Sequence, residues 1–87
     1  MMKTINAPVS VEARFDEEGR VIPTAFTWQG QTYHLSDMGR RCAETEGPHR
    51  LYHCLVMTPT METFELCLDT STLQWRLVRA WERPKMV

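Results

Sequence analysis

The stretch FTWQGQTYHL, residues 26–35, constrains the fold of this chain more than any other. Apolar and polar residues alternate on both sides of Gln29-Gly30, and a glycine there can take the positive φ that a two-residue hairpin turn requires. Such a turn places Phe26 opposite Tyr33 and gathers the aromatic side chains of the stretch on one face. The cluster is therefore predicted to be one side of a core rather than a ligand-binding platform.

The same period-two alternation recurs in VSVEARF, TFELCLD and QWRLVRAWE, with turn-forming residues between them. It predicts a single all-β domain over residues 1–87, a small antiparallel meander of about six strands curled into a barrel or roll. SDMGRRCAETEGP breaks the pattern, and Ser36 is a good helix cap, so one short helix or loop is expected near residues 37–46. The final strand is expected to place Trp75, Leu77 and Trp81 on one side, with Arg79 among them.

The register of the first hairpin follows from the apolar surface that it buries. A four-residue loop at 16–19 pairs Phe15 with Arg20 and turns Ile22 toward the core, and this register is preferred because it buries the most apolar surface. A three-residue loop would instead turn three other side chains inward: Val21, Pro23 and Ala25. Proline cannot donate to a ladder, so Pro23 indicates an edge position or a local bulge.

The segment HRLYHCLVMT differs from the other strands because it carries apolar residues on both faces. A strand of this kind either lies between two layers or is covered by a partner. The sequence therefore predicts a protein partner or a homodimer, held through this strand or an open sheet edge. The predicted interface residues are Leu51, Tyr52, Leu55 and Met57.

Length, net charge, hydropathy and cysteine spacing exclude several classes of function. The chain has 87 residues and a formal net charge of -1, which excludes a strongly basic nucleic-acid or membrane-surface protein. No stretch is long and apolar enough to span a membrane, and the first residues lack the apolar core of a signal peptide. The three cysteines show no paired spacing. These features predict a cytoplasmic protein with reduced thiols and no membrane partner.

Residues that could carry chemistry are scattered. His49 and His53 would lie roughly 13 Å apart along a strand, too far to share one metal ion. No nucleophile elbow, Walker loop or dinucleotide-binding glycine pattern is present. We therefore expect no metal, no cofactor and no enzymatic activity. A thiol or metal role for Cys42 with His49 stays open as a minor hypothesis.

Nucleic-acid binding is the main alternative to a protein-interaction role. Small β-barrels bind single strands with aromatic and arginine side chains on a curved face. The predicted contact residues are Arg40, Arg41, Arg76 and Arg83. Acidic residues interspersed among them dilute the positive field, which favours a mixed solvated surface.

PTAFTWQGQTY, FELCLD and WRLVRAW together resemble a family of small uncharacterised bacterial proteins, a domain of unknown function. Its members share a Val-x-Val opening, a Pro-x-x-Phe-x-Trp-x-Gly-x-x-Tyr hairpin and a Trp-rich final strand. Related domains occur alone or beside Y-type polymerase-like proteins, so the resemblance implies an accessory role near DNA repair or translesion synthesis. Residues 36–50 here lack the aromatic residues that the family carries in the middle of the chain.

Overall fold

The described part of the chain forms a single antiparallel sheet of seven strands. The computed structural model describes residues 2–36, 41–45 and 50–81. The strands are β1 (Met2–Phe15), β2 (Val21–Trp28), β3 (Gln31–His34), β4 (Arg41–Thr45), β5 (Leu51–Met57), β6 (Thr63–Asp69) and β7 (Gln74–Trp81). Their order in the sheet is β3-β2-β1-β7-β6-β5-β4. The predicted all-β, antiparallel class is confirmed.

Three details of the predicted architecture are corrected. Of the two predicted forms, barrel or roll, the closed barrel is the one that the structure excludes, since β3 and β4 remain as the two edges of the described sheet. It has seven strands rather than about six. Within the helix or loop expected at 37–46, residues 41–45 form β4, while 37–40 and 46 lie outside the described residues. The local sequence of β4 has a weak strand pattern, and its conformation follows from the ladder that it forms with β5.

The hairpin of β2 and β3 is built as the sequence predicts. Gln29 and Gly30 have φ angles of 51° and 76°, the signature of a type I′ turn. Phe26 lies opposite Tyr33, and their rings stack with centroids 4.9 Å apart. The hairpin thus presents an aromatic face to the interior.

The long strand β1 belongs to both halves of the sheet. Its first part, Met2–Val9, pairs with β7, and its second part, Ser10–Phe15, pairs with β2. The two halves meet through Phe26, whose ring contacts that of Phe64 edge-on with centroids 4.9 Å apart. The buried core lies between them and consists of Val21, Pro23, Ala25, Phe26, Cys54, Val56, Phe64, Leu66, Leu68 and Leu77.

A bulge in β2 changes the predicted register of the first hairpin. Phe15 lies opposite Val21 rather than Arg20, so the loop spans residues 16–20. Further along, Glu12 pairs with Ala25 and Ala13 with Pro23, which leaves Thr24 as an extra residue. The bulge lets β2 bury residues from both registers considered: Val21, Pro23 and Ala25 from one, and Phe26 from the other. The local bulge indicated by Pro23 is confirmed.

A second bulge, in β7, overturns the predicted orientation of the final strand. Leu66 pairs with Leu77 and Glu65 with Arg79, so Val78 is the extra residue. Trp75 and Leu77 face the core, whereas the bulge turns Trp81 to the outer face together with Arg79. Alternation alone could not reveal this change of face, because one inserted residue reverses the phase of every residue after it.

Replacement of Gly30 by alanine is expected to lower the free energy of unfolding by about 1–2 kcal/mol, because a Cβ is disfavoured at its positive φ. No atom lies within 4 Å of the position that a Cβ would take, so the effect is one of backbone conformation alone. Urea unfolding followed by Trp fluorescence measures it.

The matched variant Gln29→Asn should change stability in the opposite direction by a few tenths of a kcal/mol, since asparagine tolerates positive φ better than glutamine does. Equal destabilisation by both substitutions would contradict the turn assignment.

Candidate functional site

A cleft opens at the end of the molecule where the β1–β2 loop faces the β4–β5 hairpin. Its volume is about 580 Å³. The lining residues are Asp16, Glu18, Gly19, Arg20, Val21, Ile22, Cys42, Glu44 and Tyr52. Three carboxylates and one guanidinium line the cleft, and a second guanidinium, that of Arg50, lies with its Nε 3.4 Å from Glu44 Oε1, so the described charges leave a slight acidic balance. The floor is apolar, because Val21 belongs to the core and Tyr52 packs against it.

A disulfide joins the two strands that form one wall of this cleft. Cys42 on β4 and Cys54 on β5 lie directly opposite each other and are bonded through their sulfur atoms. Cys42 is exposed, whereas Cys54 is fully buried in the core. The sequence-based expectation of three reduced thiols is therefore wrong for this pair. It failed because the pairing depends on an edge strand that the sequence did not predict.

The third cysteine, Cys67, is free and lies on the outer face of β6, opposite His53. Partial burial raises the pKa of its thiol, and the negative charges of Glu65 and Asp69 raise that pKa further. The thiolate, which is the reactive form, is thus disfavoured at Cys67.

The β1–β2 loop, the opposite wall of the cleft, is organised by one carboxylate. Asp16 Oδ1 accepts hydrogen bonds from the backbone N–H groups of Arg20 and Glu18 at 2.8 and 2.9 Å. Its Oδ2 accepts from Arg20 Nε at 2.6 Å. These bonds, led by that from the Arg20 backbone, lower the pKa of Asp16, although partial desolvation opposes them.

Asp16→Asn tests this loop through the pH dependence of stability. A carboxyl group whose folded pKa is lowered contributes stability above its unfolded pKa, near 3.8, and that contribution is lost as the pH falls through the folded value. The variant should therefore be less stable than the wild type at pH 7, and the difference should vanish in strong acid. Urea unfolding across the acid range measures it.

Glu17→Gln is the control, because the Glu17 side chain forms no hydrogen bond or ion pair within the described part of the chain. A constant difference between Asp16→Asn and the wild type at every pH would contradict the assignment.

Cys42→Ser should lower the free energy of unfolding of the oxidised protein by about 3 kcal/mol, the chain-entropy value for a loop of this size. The bonded cysteines are separated by 12 positions in the sequence. Denaturant unfolding without reductant measures the loss. Cys67→Ser keeps the disulfide and should have a much smaller effect. A similar loss in both variants would contradict a stabilising bridge.

A second candidate site covers the outer face of β5, β6, β7 and β1. Residues opposite one another in a ladder share a face, so Met57, Trp81 and Met2 line up there across the strands, with Thr63 between the first two. Leu55 lies two residues from Met57 and points the same way. We name Met2, Leu55, Met57 and Trp81 the outer patch. Met2 and Leu55 are 50% and 42% exposed.

A charged group adjoins the outer patch. Arg79 Nη1 donates to Glu65 Oε1 at 2.7 Å, and His53 Nδ1 lies 3.7 Å from Glu65 Oε2. Leu55 is the direct ladder neighbour of Glu65. The outer patch therefore adjoins an anion, Glu65, and a permanent cation, Arg79, that are bonded to each other.

The structure divides the predicted interface residues between two faces. Leu51, Leu55 and Met57 lie on the outer face of β5, and Tyr52 lies on the inner face, in the cleft. Sequence reasoning did not find Met2 and Trp81, although both belong to the outer patch. Trp81 was not found because the bulge in β7 reverses which face the later residues of the strand occupy. Met2 was not found because its position follows from the pairing of β1 with β7.

The predicted nucleic-acid residues are not seen together. Arg40 and Arg83 lie outside the described residues, as does His49, and of Arg41 only the backbone in β4 is described. Arg76 is exposed, but its guanidinium donates to Asn6 Oδ1 at 3.0 Å and to the Asn6 backbone oxygen at 2.7 Å. Asn6 has a positive φ of 51°, so Arg76 fixes an irregular point of β1.

Among residues 2–36, 41–45 and 50–81, His, Cys, Asp and Glu side chains form no group of three or more that could hold a metal ion. Over the same residues, no helix has the length and apolar character needed to cross a bilayer.

In comparisons with known proteins, no family model, no curated protein and no solved structure matches this chain. The resemblance to a bacterial domain of unknown function therefore rests on the hairpin and final-strand motifs alone.

Proposed function

We propose that this protein is a non-catalytic accessory module that associates with a second copy of itself through the outer patch. The observation that carries the proposal is the outer patch, with Met2 and Leu55 exposed and Met57 and Trp81 half-buried, on a sheet face that no other described element covers. A single curled sheet buries only its inner face, and large apolar side chains on the other face favour a partner.

The composition of the outer face supports a second copy as the occupant. In a two-fold symmetric interface the same patch meets itself, so it must be self-complementary. Glu65 and Arg79 form an ion pair beside Leu55 that has no net charge, so two copies meet there without net like-charge repulsion. The outer patch would supply the apolar centre of the interface and the charged pair its polar rim.

Small size adds a physical reason for association. A domain of 87 residues buries a modest share of its surface, so its core alone gives limited stability. Covering the outer patch would add apolar burial at roughly 25 cal/mol per Å². The edge strands β3 and β4 are short. Short edge strands resist unspecific pairing with other chains, which favours association through the outer face instead.

Nucleic-acid binding near DNA repair is the alternative, and no specific observation favours it. Most arginine side chains that the structure describes are already held by neighbours: Arg20 by Asp16, Arg50 by Glu44, Arg76 by Asn6 and Arg79 by Glu65. A cytoplasmic location and membership of the bacterial domain family remain part of the proposal, on the sequence alone.

Leu55→Lys should weaken self-association about tenfold or more, because it places a charge at the centre of the proposed interface. In the monomer the new side chain would be exposed and opposite Glu65, so the fold should be retained. Sedimentation velocity from low micromolar to near-millimolar concentration measures the dimer fraction.

Leu73→Asn is the matched control. Leu73 is an exposed leucine, at 72%, but it lies in the turn between β6 and β7, away from the outer patch. It should leave association unchanged. A wild-type protein that stays monomeric over the whole concentration range would overturn the proposal.

A further inference from the structure

The disulfide in the cleft differs from a buried structural bridge in one respect. Its two sulfur atoms occupy unequal environments, since Cys42 lies on an exposed edge strand and lines the cleft, and Cys54 is 0% exposed. A thiolate approaching from solvent can therefore reach one sulfur and not the other. The rate of thiol–disulfide exchange depends on which sulfur is attacked and on access to that sulfur, so we expect attack at Cys42 Sγ.

We propose that Cys42–Cys54 is a thiol–disulfide exchange site, in which a small uncharged or cationic thiol enters the cleft and is attached to Cys42. The proposal concerns the inner cleft and is independent of self-association through the outer patch. The substrate class follows from the volume and charge of the cleft.

The step conserves atoms and electrons. The incoming thiolate attacks Cys42 Sγ, a new S–S bond forms, and the Cys42–Cys54 bond breaks with its electron pair leaving on Cys54 Sγ. Cys54 then takes a proton from water, because its surroundings are apolar. The mixed disulfide on Cys42 has two fates. Cys54 attacks it and restores the bridge, or a second thiolate attacks the incoming sulfur and releases the oxidised small molecule, leaving both cysteines as thiols.

Cys54 is well placed for the restoring reaction. It lies directly across the ladder from Cys42, and β5 is held on its other side by its full pairing with β6. The resolving sulfur thus stays in place while the edge strand carries the adduct. The adduct should be short-lived in the wild type and persistent when Cys54 is absent.

The size of the cleft favours a small thiol. About 580 Å³ lies within the range of small-molecule pockets and is enclosed on two sides by the β1–β2 loop and the β4–β5 hairpin. Its charge sets a preference among small thiols. Among the described side chains, Asp16, Glu18 and Glu44 outnumber Arg20 and the Arg50 that pairs with Glu44, so an anionic thiolate carrying a second negative charge should be weakly repelled and an aminothiol weakly attracted.

The first experiment traps the adduct in a Cys67→Ser background, which removes the free thiol. With Cys54→Ala added, oxidised cysteamine should attach one cysteamine, and peptide mapping should place it on Cys42. With Cys42→Ala added instead, the buried Cys54 should remain unmodified under the same conditions. Equal labelling of both variants, or labelling of Cys54 alone, would overturn the proposal.

A second experiment needs no cysteine variant and covers the case in which those variants fold poorly. Wild-type protein purified without reductant should contain one free thiol, and brief treatment with reduced cysteamine under native conditions should expose two more. Quenching with iodoacetamide should then alkylate Cys42 roughly ten times faster than Cys54. Three free thiols before treatment, or a bridge that opens only in denaturant, would overturn the exchange site.

Charge selectivity is tested with two thiols of similar size. Compared at equal thiolate concentration and low salt, reduced cysteamine should open the bridge roughly threefold faster than 2-mercaptoethanesulfonate, and added salt should remove the difference. Glu44→Gln should reduce it, and Glu62→Gln, in the β5–β6 turn, should not. If 2-mercaptoethanesulfonate reacts faster than cysteamine, the proposed charge preference is wrong. If a lysine-rich peptide that contains one cysteine reacts faster than cysteamine, the proposed preference for small thiols is wrong.

Discussion

The structure depends on the double pairing of β1. One strand of 14 residues pairs with β7 along its first part and with β2 along its second part, so it carries the chain from one half of the sheet to the other. The β2–β3 hairpin can therefore fold over the larger half and place Phe26 against Phe64. Without that overlap, each half would be a small sheet with one apolar face open to water, and a sheet buries that face only against another element.

The curl also explains why the sheet does not close. The chain leaving β3 reaches β5, where the Ser36 N–H donates to the Met57 carbonyl at 2.7 Å. Beyond that point the edge of β5 pairs with β4, from Leu55 to Leu51. The two ends of the sheet thus contact each other where Ser36 bonds to Met57. The cleft lies between the start of β2, with the loop before it, and the paired strands β4 and β5.

Bulges decide which residues are available for function. Thr24 in β2 lets Pro23 and Phe26 both face inward, although they are three residues apart. Val78 is the extra residue in β7, and its insertion turns Trp81 to the outer face, away from the core that Trp75 contacts. Each bulge changes the phase of a strand without changing its hydrophobic composition. The outer patch exists because of the second bulge.

Much of the fold was predictable because it is local. The Gln29-Gly30 turn, the stacking of Phe26 on Tyr33 and the alternation in β6 depend on residues close in sequence, and period-two patterning reports them directly. The candidate sites were less predictable. The interface residues proposed for β5 were placed on one surface in sequence reasoning, whereas strand alternation separates Tyr52 from Leu55 in the folded protein.

The amino-acid sequence by itself determined the all-β class, the aromatic hairpin and six of the seven described strands, although only residues 9–15 of β1, because hydrophobic period and turn chemistry act over a few residues. Only the tertiary structure decided that 41–45 becomes a strand, that Cys42 meets Cys54, and that Trp81 joins Met2 on the outer face. These contacts depend on ladder register and bulges between distant segments. A shift of one residue leaves the composition of a strand unchanged and reverses every side chain that it presents.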